Sequence, residues 1–329
     1  MRRRRIVARA LAGRSCPGID VAYSRRPPPG STIGSTSVRL YGGVELGGTK
    51  TLCVVGAGTD IVAEARIPTT DPSATLAAVV AFFRREIAAG REIRAIGVAS
   101  FGPVELRRGA PRWGLITTTP KAGWSDVDVA GPIGAGLGLP VGFDTDVAGA
   151  ALGEGRFGAA RGLETFVYLT VGTGIGGGAV IGGRIAHGLV HAEMGHVSVP
   201  REPGDDFPGR CPFHRDCLEG MASGPALADR FGAPVETLAA ERQRAAVELS
   251  ARYVATGLRN VVYALAPERI VIGGGVGLAD GFVPAVRAAL PGVLGGYPGL
   301  PEHADDAFVV AAALGTRAGI VGALALAEE

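Results

Sequence analysis

No apolar run of about 18 residues or more occurs in the 329-residue chain, and a bilayer-crossing helix needs about 20. A membrane-embedded body is therefore not expected. A one-signed charge is missing too: 33 Lys and Arg stand against 31 Asp and Glu, a formal net charge of +2. Much of the basic excess falls in residues 1–39, which hold no glutamate. The remainder gives no argument for a nucleic-acid partner. Cysteine is scarce, at four. Cys16 and Cys53 are far apart, while Cys211 and Cys217 flank His214 in one short segment, which points to a metal before a disulfide. An uninterrupted secretory h-region is also absent, because Arg9 and Arg14 break the only candidate, Ile6 to Ala12. A cytoplasmic location is expected. Residues 1–37 mix arginine clusters with Pro-Pro-Pro-Gly and show no helical or strand period, so they are expected to be a disordered tail or an over-called start.

Glycine is abundant, at 53 residues without a collagen-like period, and its clusters fall between apolar segments. From position 38 onward the pattern predicts a three-strand meander: Arg39 to Glu45, Thr51 to Val55 and Ile61 to Pro68. Asp71-Pro72 then starts a helix carrying Leu76, Val79, Val80 and Phe83 at helical spacing, followed by a strand from Ala95 to Ser100. The same grammar returns with Phe166 to Val171, Gly177 to Ile181 and Arg184 to Ala186, and later a strand Arg269 to Ile272. A long helix is expected from about Ala239 to Tyr263, with Ala245, Leu249, Tyr253 and Leu258 on related faces. The length suits two domains and a cleft between them.

Three glycine clusters suggest anion chemistry, and two motifs they superficially match are excluded. Gly47-Gly48-Thr49-Lys50 lacks the Gly-Lys pair and the following helix of a Walker A loop; Leu52-Cys53-Val54-Val55 continues as a strand. Gly172-Thr173-Gly174-Ile-Gly-Gly177 satisfies G-x-G-x-x-G, but a strand again follows where the dinucleotide fingerprint needs a helix. Both fit strand hairpins whose backbone N–H groups, hydroxyl and lysine can meet a phosphate, with an ordinary Gly-Gly turn as the alternative. Gly273-Gly274-Gly275 ends a strand and bares backbone that can lie against a nucleotide. Asp144 and Asp146 stand where the strand Val141 to Phe143 gives way to a helix near Thr145. There a carboxylate is either a catalytic base, held ionised by the helix N-terminus, or an N-cap. His196, Cys211, His214 and Cys217 form H-x14-C-x2-H-x2-C, a donor set suited to tetrahedral zinc, although His196 is distant in sequence. His187, His191 and His303 are expected to face solvent or to pack.

These segments together resemble the ROK family, in particular its fructokinase branch. ELGGTK at 45–50 and VGTGIGGG at 171–178 are similar to its phosphate loops and VIGGGV at 271–276 to its adenosine loop. Asp144-Thr-Asp-Val147 with the Ala-Ala-Leu-Gly-Glu154 that follows is similar to its catalytic segment, and HAEMGH at 191–196 with CPFHRDCLEG at 211–220 to its sugar and zinc signature. The resemblance covers roughly residues 38–329. It implies an α/β fold of two ribonuclease-H-like domains of the actin, hexokinase and Hsp70 ATPase type with an interdomain cleft. The small domain would span 38–146, completed by a C-terminal helix in 315–329, and the large domain 147–314. The implied activity is ATP-dependent phosphorylation of a hexose, fructose being indicated by Thr119-Pro-Lys-Ala-Gly-Trp124. Asp146 would be the general base. Gly47, Gly48, Thr49, Lys50, Gly172, Thr173, Gly174, Gly273, Gly274 and Gly275 would bind ATP. Gly102, Pro103, Thr145, Glu193, His196 and Glu219 would bind sugar, and His196, Cys211, His214 and Cys217 a structural Zn²⁺. Glu45 would hold Mg²⁺ through water. Expected partners are sugar and MgATP, with a homodimer and no nucleic acid or membrane. Ala148 and Gly149 depart from the usual Asn-Ala, which puts in question a helix-start hydrogen bond or the sugar contacts. Glucokinase, N-acetylhexosamine kinase and sugar-responsive repressor are the alternatives within the resemblance; residues 1–37 are too short and proline-rich for a repressor's winged helix.

Overall fold

The computed structural model describes residues 39–329; the expected disorder of 1–37, and Cys16, lie outside the described residues. The predicted meander forms as β1 (Leu40–Leu46), β2 (Lys50–Ala57) and β3 (Asp60–Pro68). Helix α1 (Pro72–Ala88) begins where expected, with Asp71 Oδ1 accepting the Ala74 N–H at 2.9 Å and proline in the first turn. Strand β4 (Ile93–Ser100) returns parallel to β1. A short ribbon, β5 (Leu115–Ile116) with β6 (Val127–Asp128), and helix α2 (Ala130–Leu137) precede β7 (Val141–Thr145), which lies parallel to β4. The sheet order is β3-β2-β1-β4-β7.

Helix α3 (Asp146–Phe157) leads into a second sheet of β8 (Phe166–Val171), β9 (Ile175–Ile181), β10 (Arg184–Ile185), β11 (Arg269–Gly273) and β12 (Val309–Ala311), ordered β10-β9-β8-β11-β12. Each sheet thus has an antiparallel meander on one side and three parallel strands on the other, so the repeated grammar of the sequence is a repeated strand order. Between β10 and β11 run α4 (Leu218–Ala222), α5 (Gly224–Phe231) and α6 (Ala240–Leu265); α7 (Phe282–Leu294) and α8 (Ala318–Leu326) complete the helices of the described residues. Of the expected face of α6, Tyr253 and Leu258 are fully buried, Leu249 is half-buried and Ala245 is exposed; the cluster with β8, β11 and α7 widens the buried face to Ala246, Ser250, Val254 and Val261.

Two helices tie the sheets together. α3 follows a strand of the first sheet yet covers the second, where Val147 meets Gly176 and Gly178 of β9. α8 follows the second sheet yet packs on the first, its Ile320, Ala323, Leu324 and Leu326 forming one cluster with Val54 and Ala99. The helices touch backbone to backbone: a Cβ on Gly322 would overlap the Gly149 carbonyl oxygen, and one on Gly153 would lie 2.8 Å from the Ala318 oxygen.

Candidate active site

Strands β1, β4 and β7 run parallel, so their carboxyl ends present Glu45, the Gly102-Pro103 segment and Asp146 on one edge of the sheet, the usual ligand-facing edge of an α/β layer. Thr145 is the N-cap of α3: its Oγ1 accepts the Ala148 N–H at 3.1 Å. Asp146 is thereby relieved of capping and accepts the adjacent Val147 N–H, at 2.9 Å. The helix N-terminus does not hold the Asp146 carboxyl in its ordinary range: burial outweighs the backbone donors and pushes it up to about 6, so it is ionised only above that pH. Glu45 rises to about 7, chiefly through burial, then through the Asp146 charge, with Lys50 opposing. Its buried Oε2 has no hydrogen-bond partner. Asp144 points elsewhere: Oδ1 accepts the Thr145 N–H at 2.7 Å and Oδ2 meets His187 Nε2 at 2.7 Å.

Glu45 and Asp146 line one cavity with Tyr168, Thr170, Gly274, Gly275, Gly315 and Thr316. The glycine loops divide their work. Gly47 donates to the Lys50 carbonyl at 3.0 Å and closes the β1–β2 turn, leaving Gly48, Thr49 and Lys50 exposed. Gly172 donates to the Gly174 carbonyl at 2.9 Å and closes the β8–β9 turn, leaving Thr173 exposed. Neither turn opens a helix, as the exclusion of Walker and dinucleotide motifs requires. Gly274 has φ +85° and Gly275 faces open space, whereas Gly273 packs tightly on the Tyr168 hydroxyl. Glu154, fully buried, accepts from Ala313 at 3.1 Å and Leu314 at 2.8 Å and so fixes the turn that presents Gly315 and Thr316.

On the second half, Glu193 and Glu219 face the same region as Asp146. Glu193 is pushed up to about 7 by burial and by the Glu219 and Asp146 carboxylates. Glu219 Oε2 accepts the Ile175 N–H at 2.9 Å, which ties it to the β8–β9 turn. Trp124 is fully buried: Nε1 donates to the Thr70 carbonyl at 2.8 Å and the ring meets Phe101 edge-on at 5.3 Å. The Thr119 to Trp124 segment thus backs the Phe101-Gly102-Pro103 wall, and Trp124 itself packs. Two of the histidines do more than face solvent or pack. His187 pairs with Asp144, and His191 is buried with Nε2 accepting the Val104 N–H at 3.1 Å. His303 packs on Phe308 as expected.

The donor atoms of His196, Cys211, His214 and Cys217 lie within 4.8 Å of one another. His196 Nδ1 is 3.7 Å from Cys211 Sγ and 3.5 Å from Cys217 Sγ, and His214 Nδ1 is 3.8 Å from Cys211 Sγ. Tetrahedral zinc with usual bond lengths separates nitrogen from sulfur by about 3.5 Å, so the residues fit that ion. Burial and the adjacent Cys211 sulfur push the Cys217 thiol up to about 12; a dication there would hold both sulfurs as thiolates.

Residues 41–329 match the ROK family. The chain belongs to that family. It is similar to a fructokinase of Zymomonas mobilis, 43% identical over 293 residues, with 88% of this chain and 96% of that protein covered. Among solved structures it is similar to a ROK hexokinase from Thermus thermophilus, at TM-score 0.70 and 32% identity over 88% of this chain and 98% of that one. It also resembles a ROK glucokinase from Streptomyces griseus solved with glucose and AMPPNP, at TM-score 0.69 and 26% identity over 88% and 99%.

The two departures from the ROK pattern are structurally mild. The α3 cap uses the backbone N–H of Ala148, so loss of an asparagine side chain leaves that hydrogen bond intact. Gly149 gains a purpose, since a Cβ there would lie 2.9 Å from the Ala99 Cβ. Thr170, Gly315, Thr316 and Glu154's positioning role were not singled out from the sequence; Gly315-Thr316 just before an apolar helix was the available signal. A larger cavity, about 600 Å³, opens beyond β7 between Trp113, Phe143, Arg184 and His187. It contains neither Asp146 nor any glycine turn expected to bind phosphate; Asp146, Gly274 and Gly275 line the smaller cavity.

Proposed function

We propose that this ROK protein is an ATP-dependent hexose kinase whose preferred acceptor is fructose. One observation carries the reading: a carboxyl held near its working range, Asp146, shares a cavity with an orphaned carboxylate oxygen of Glu45 and with the open backbone of Gly274, Gly275 and Gly315. A base, a cation ligand and a nucleotide cradle belong together in phosphoryl transfer. In this reading the two sheets are the cores of two ribonuclease-H-like domains, divided at Asp146, with α8 returning to the first; sugar and ATP meet in the cleft between them.

The acceptor hydroxyl oxygen bonds the γ-phosphorus as the bond to the β,γ-bridging oxygen breaks. The hydroxyl proton passes to Asp146, and ADP leaves with the bond pair. Glu193 and Glu219 accept sugar hydroxyls, Gly102-Pro103 closes the opposite wall, and Thr145 holds the start of α3. The turns at Gly48 to Lys50 and at Thr173 approach the phosphates. Mg²⁺, when bound beside Glu45, neutralises phosphate charge. Zinc on His196, Cys211, His214 and Cys217 has all four places filled by protein and is structural. Fructose is favoured over glucose by Thr119 to Trp124, by the His-containing metal loop and by the fructokinase similarity. A cytoplasmic homodimer is part of the proposal. A coupled assay over fructose, mannose, glucose and N-acetylmannosamine is expected to give fructose the highest kcat/KM. A higher value for glucose removes the sugar assignment, and no ATP turnover with any of them removes the kinase.

A further inference from the structure

Glu193 lies between two imidazoles. His191 Nδ1 is 3.4 Å from its Oε1 and His196 Nε2 is 3.9 Å from its Oε2. His196 turns its other nitrogen to the two cysteine sulfurs, so one side of Glu193 is referenced to the metal cluster. His191 refers the other side to the opposite half of the molecule. Its Nε2 lies 3.1 Å from the Val104 backbone nitrogen, a group that can only donate. Nε2 is therefore the unprotonated nitrogen, and the ring proton sits on Nδ1, toward Glu193 and the Ala192 carbonyl at 3.5 Å.

Val104 follows Gly102-Pro103, the wall across the cleft from Glu193. The fit around the ring is close: a Cβ on Gly102 would lie 3.3 Å from both Cε1 and Nε2 of His191. His191 is 6% exposed, so this contact is an internal strut. Four residues earlier His187 makes a second crossing to Asp144, and His187 and His191 are themselves bridged.

We propose that His191 is a positioning residue for sugar binding, fixing the Glu193 carboxylate in register with the Gly102-Pro103-Val104 wall. The inference rests on the reading of Glu193 as a sugar ligand. It assigns His191 no contact with ATP and no proton in the reaction. A glutamine places its amide oxygen near the position of Nε2 and can accept from Val104, whereas asparagine is too short to do so and leucine accepts nothing.

The test compares wild type with His191→Leu, His191→Asn and His191→Gln, by initial-rate kinetics and by calorimetric titration with fructose in the absence of nucleotide. Expected for leucine and asparagine is a sugar KM and Kd raised by about tenfold or more, as loss of a positioning contact typically gives, with the MgATP KM within about twofold. Glutamine is expected to recover most of the loss. A leucine variant with unchanged fructose Kd overturns the proposal, as does a parallel rise in the MgATP KM or a glutamine variant no better than leucine. If leucine prevents folding, asparagine against glutamine decides. A wild type that binds fructose but transfers no phosphoryl group fails the kinase reading and leaves the calorimetric comparison decisive; a wild type that binds no hexose fails both.

Discussion

At the scale of single residues, the site turns on which force sets a carboxyl's protonation. The sequence placed Asp146 at a strand-to-helix junction, and helix-dipole reasoning alone would keep its pKa in the ordinary carboxylate range or below. Burial prevails and lifts it to about 6, because desolvation of a charge costs more than the backbone donors of Val147 and Asp146 return. Asp146→Asn is expected to lower kcat by about 10²- to 10⁴-fold while leaving nucleotide binding in place. Since Thr145 already caps α3, no capping loss complicates the result. Asp144→Asn keeps an oxygen for the Thr145 N–H and is expected to retain more activity. The sign of the pH dependence follows. The base works when deprotonated, so wild-type kcat/KM is expected to persist above about pH 6 and fall as pH drops through it. Stability runs the other way: a folded-state pKa raised above the unfolded one favours the neutral form, so stability present at low pH is lost as pH rises through about 6. Asp146→Asn should therefore gain melting temperature relative to wild type at pH 8 and not at pH 4. Near-normal turnover of this variant would remove Asp146 from the mechanism.

At the scale of elements, the strands were legible because each half opens with apolar runs separated by glycine turns, and α1 because Asp71-Pro72 is an unambiguous start. The face of α6 was legible only in part. Tyr253 and Leu258 are buried as their spacing suggests, but an Ala-rich helix offers several nearly equivalent stripes, and contact with β8, β11 and α7 buries Ala246 and Val254 in place of Ala245. The candidate metal loop was legible as a donor pattern, yet spacing alone leaves the distance from His196 to Cys211 open; the single 3-10 turn at Met194–His196 and the Leu218 N–H bond to the Val197 carbonyl at 3.0 Å supply it. Because Glu219 lies two residues beyond Cys217 and His196 faces Glu193, removing zinc with a chelator is expected to lower both melting temperature and fructose affinity. Elemental analysis is expected to find one zinc per chain, and active, folded protein without any would refute the assignment.

At the scale of the whole molecule, the crossing of α3 and α8 holds the two sheets in place. Gly322→Ala separates two arguments. Helix propensity alone favours alanine by about 1 kcal/mol, but the added Cβ would overlap the Gly149 carbonyl, with no flexible side chain to yield. Overpacking of this kind costs about 1–3 kcal/mol. The variant is expected to melt several degrees lower, read by calorimetry, and an unchanged or higher melting temperature would show that the helices can slide apart freely. What the sequence determined by itself was local: the alternation that makes strands, the glycine turns that exclude Walker and dinucleotide loops, the donor spacing of the metal cluster and the carboxylate at a strand end. Only the tertiary structure decided which groups meet. Glu45 and Asp146 share a cavity through parallel pairing of β1, β4 and β7, Glu154 reaches the turn at Gly315 across the chain, and His191 finds Val104, 87 positions away. Such meetings depend on how separate elements pack, and a protonation state depends on the water that packing excludes.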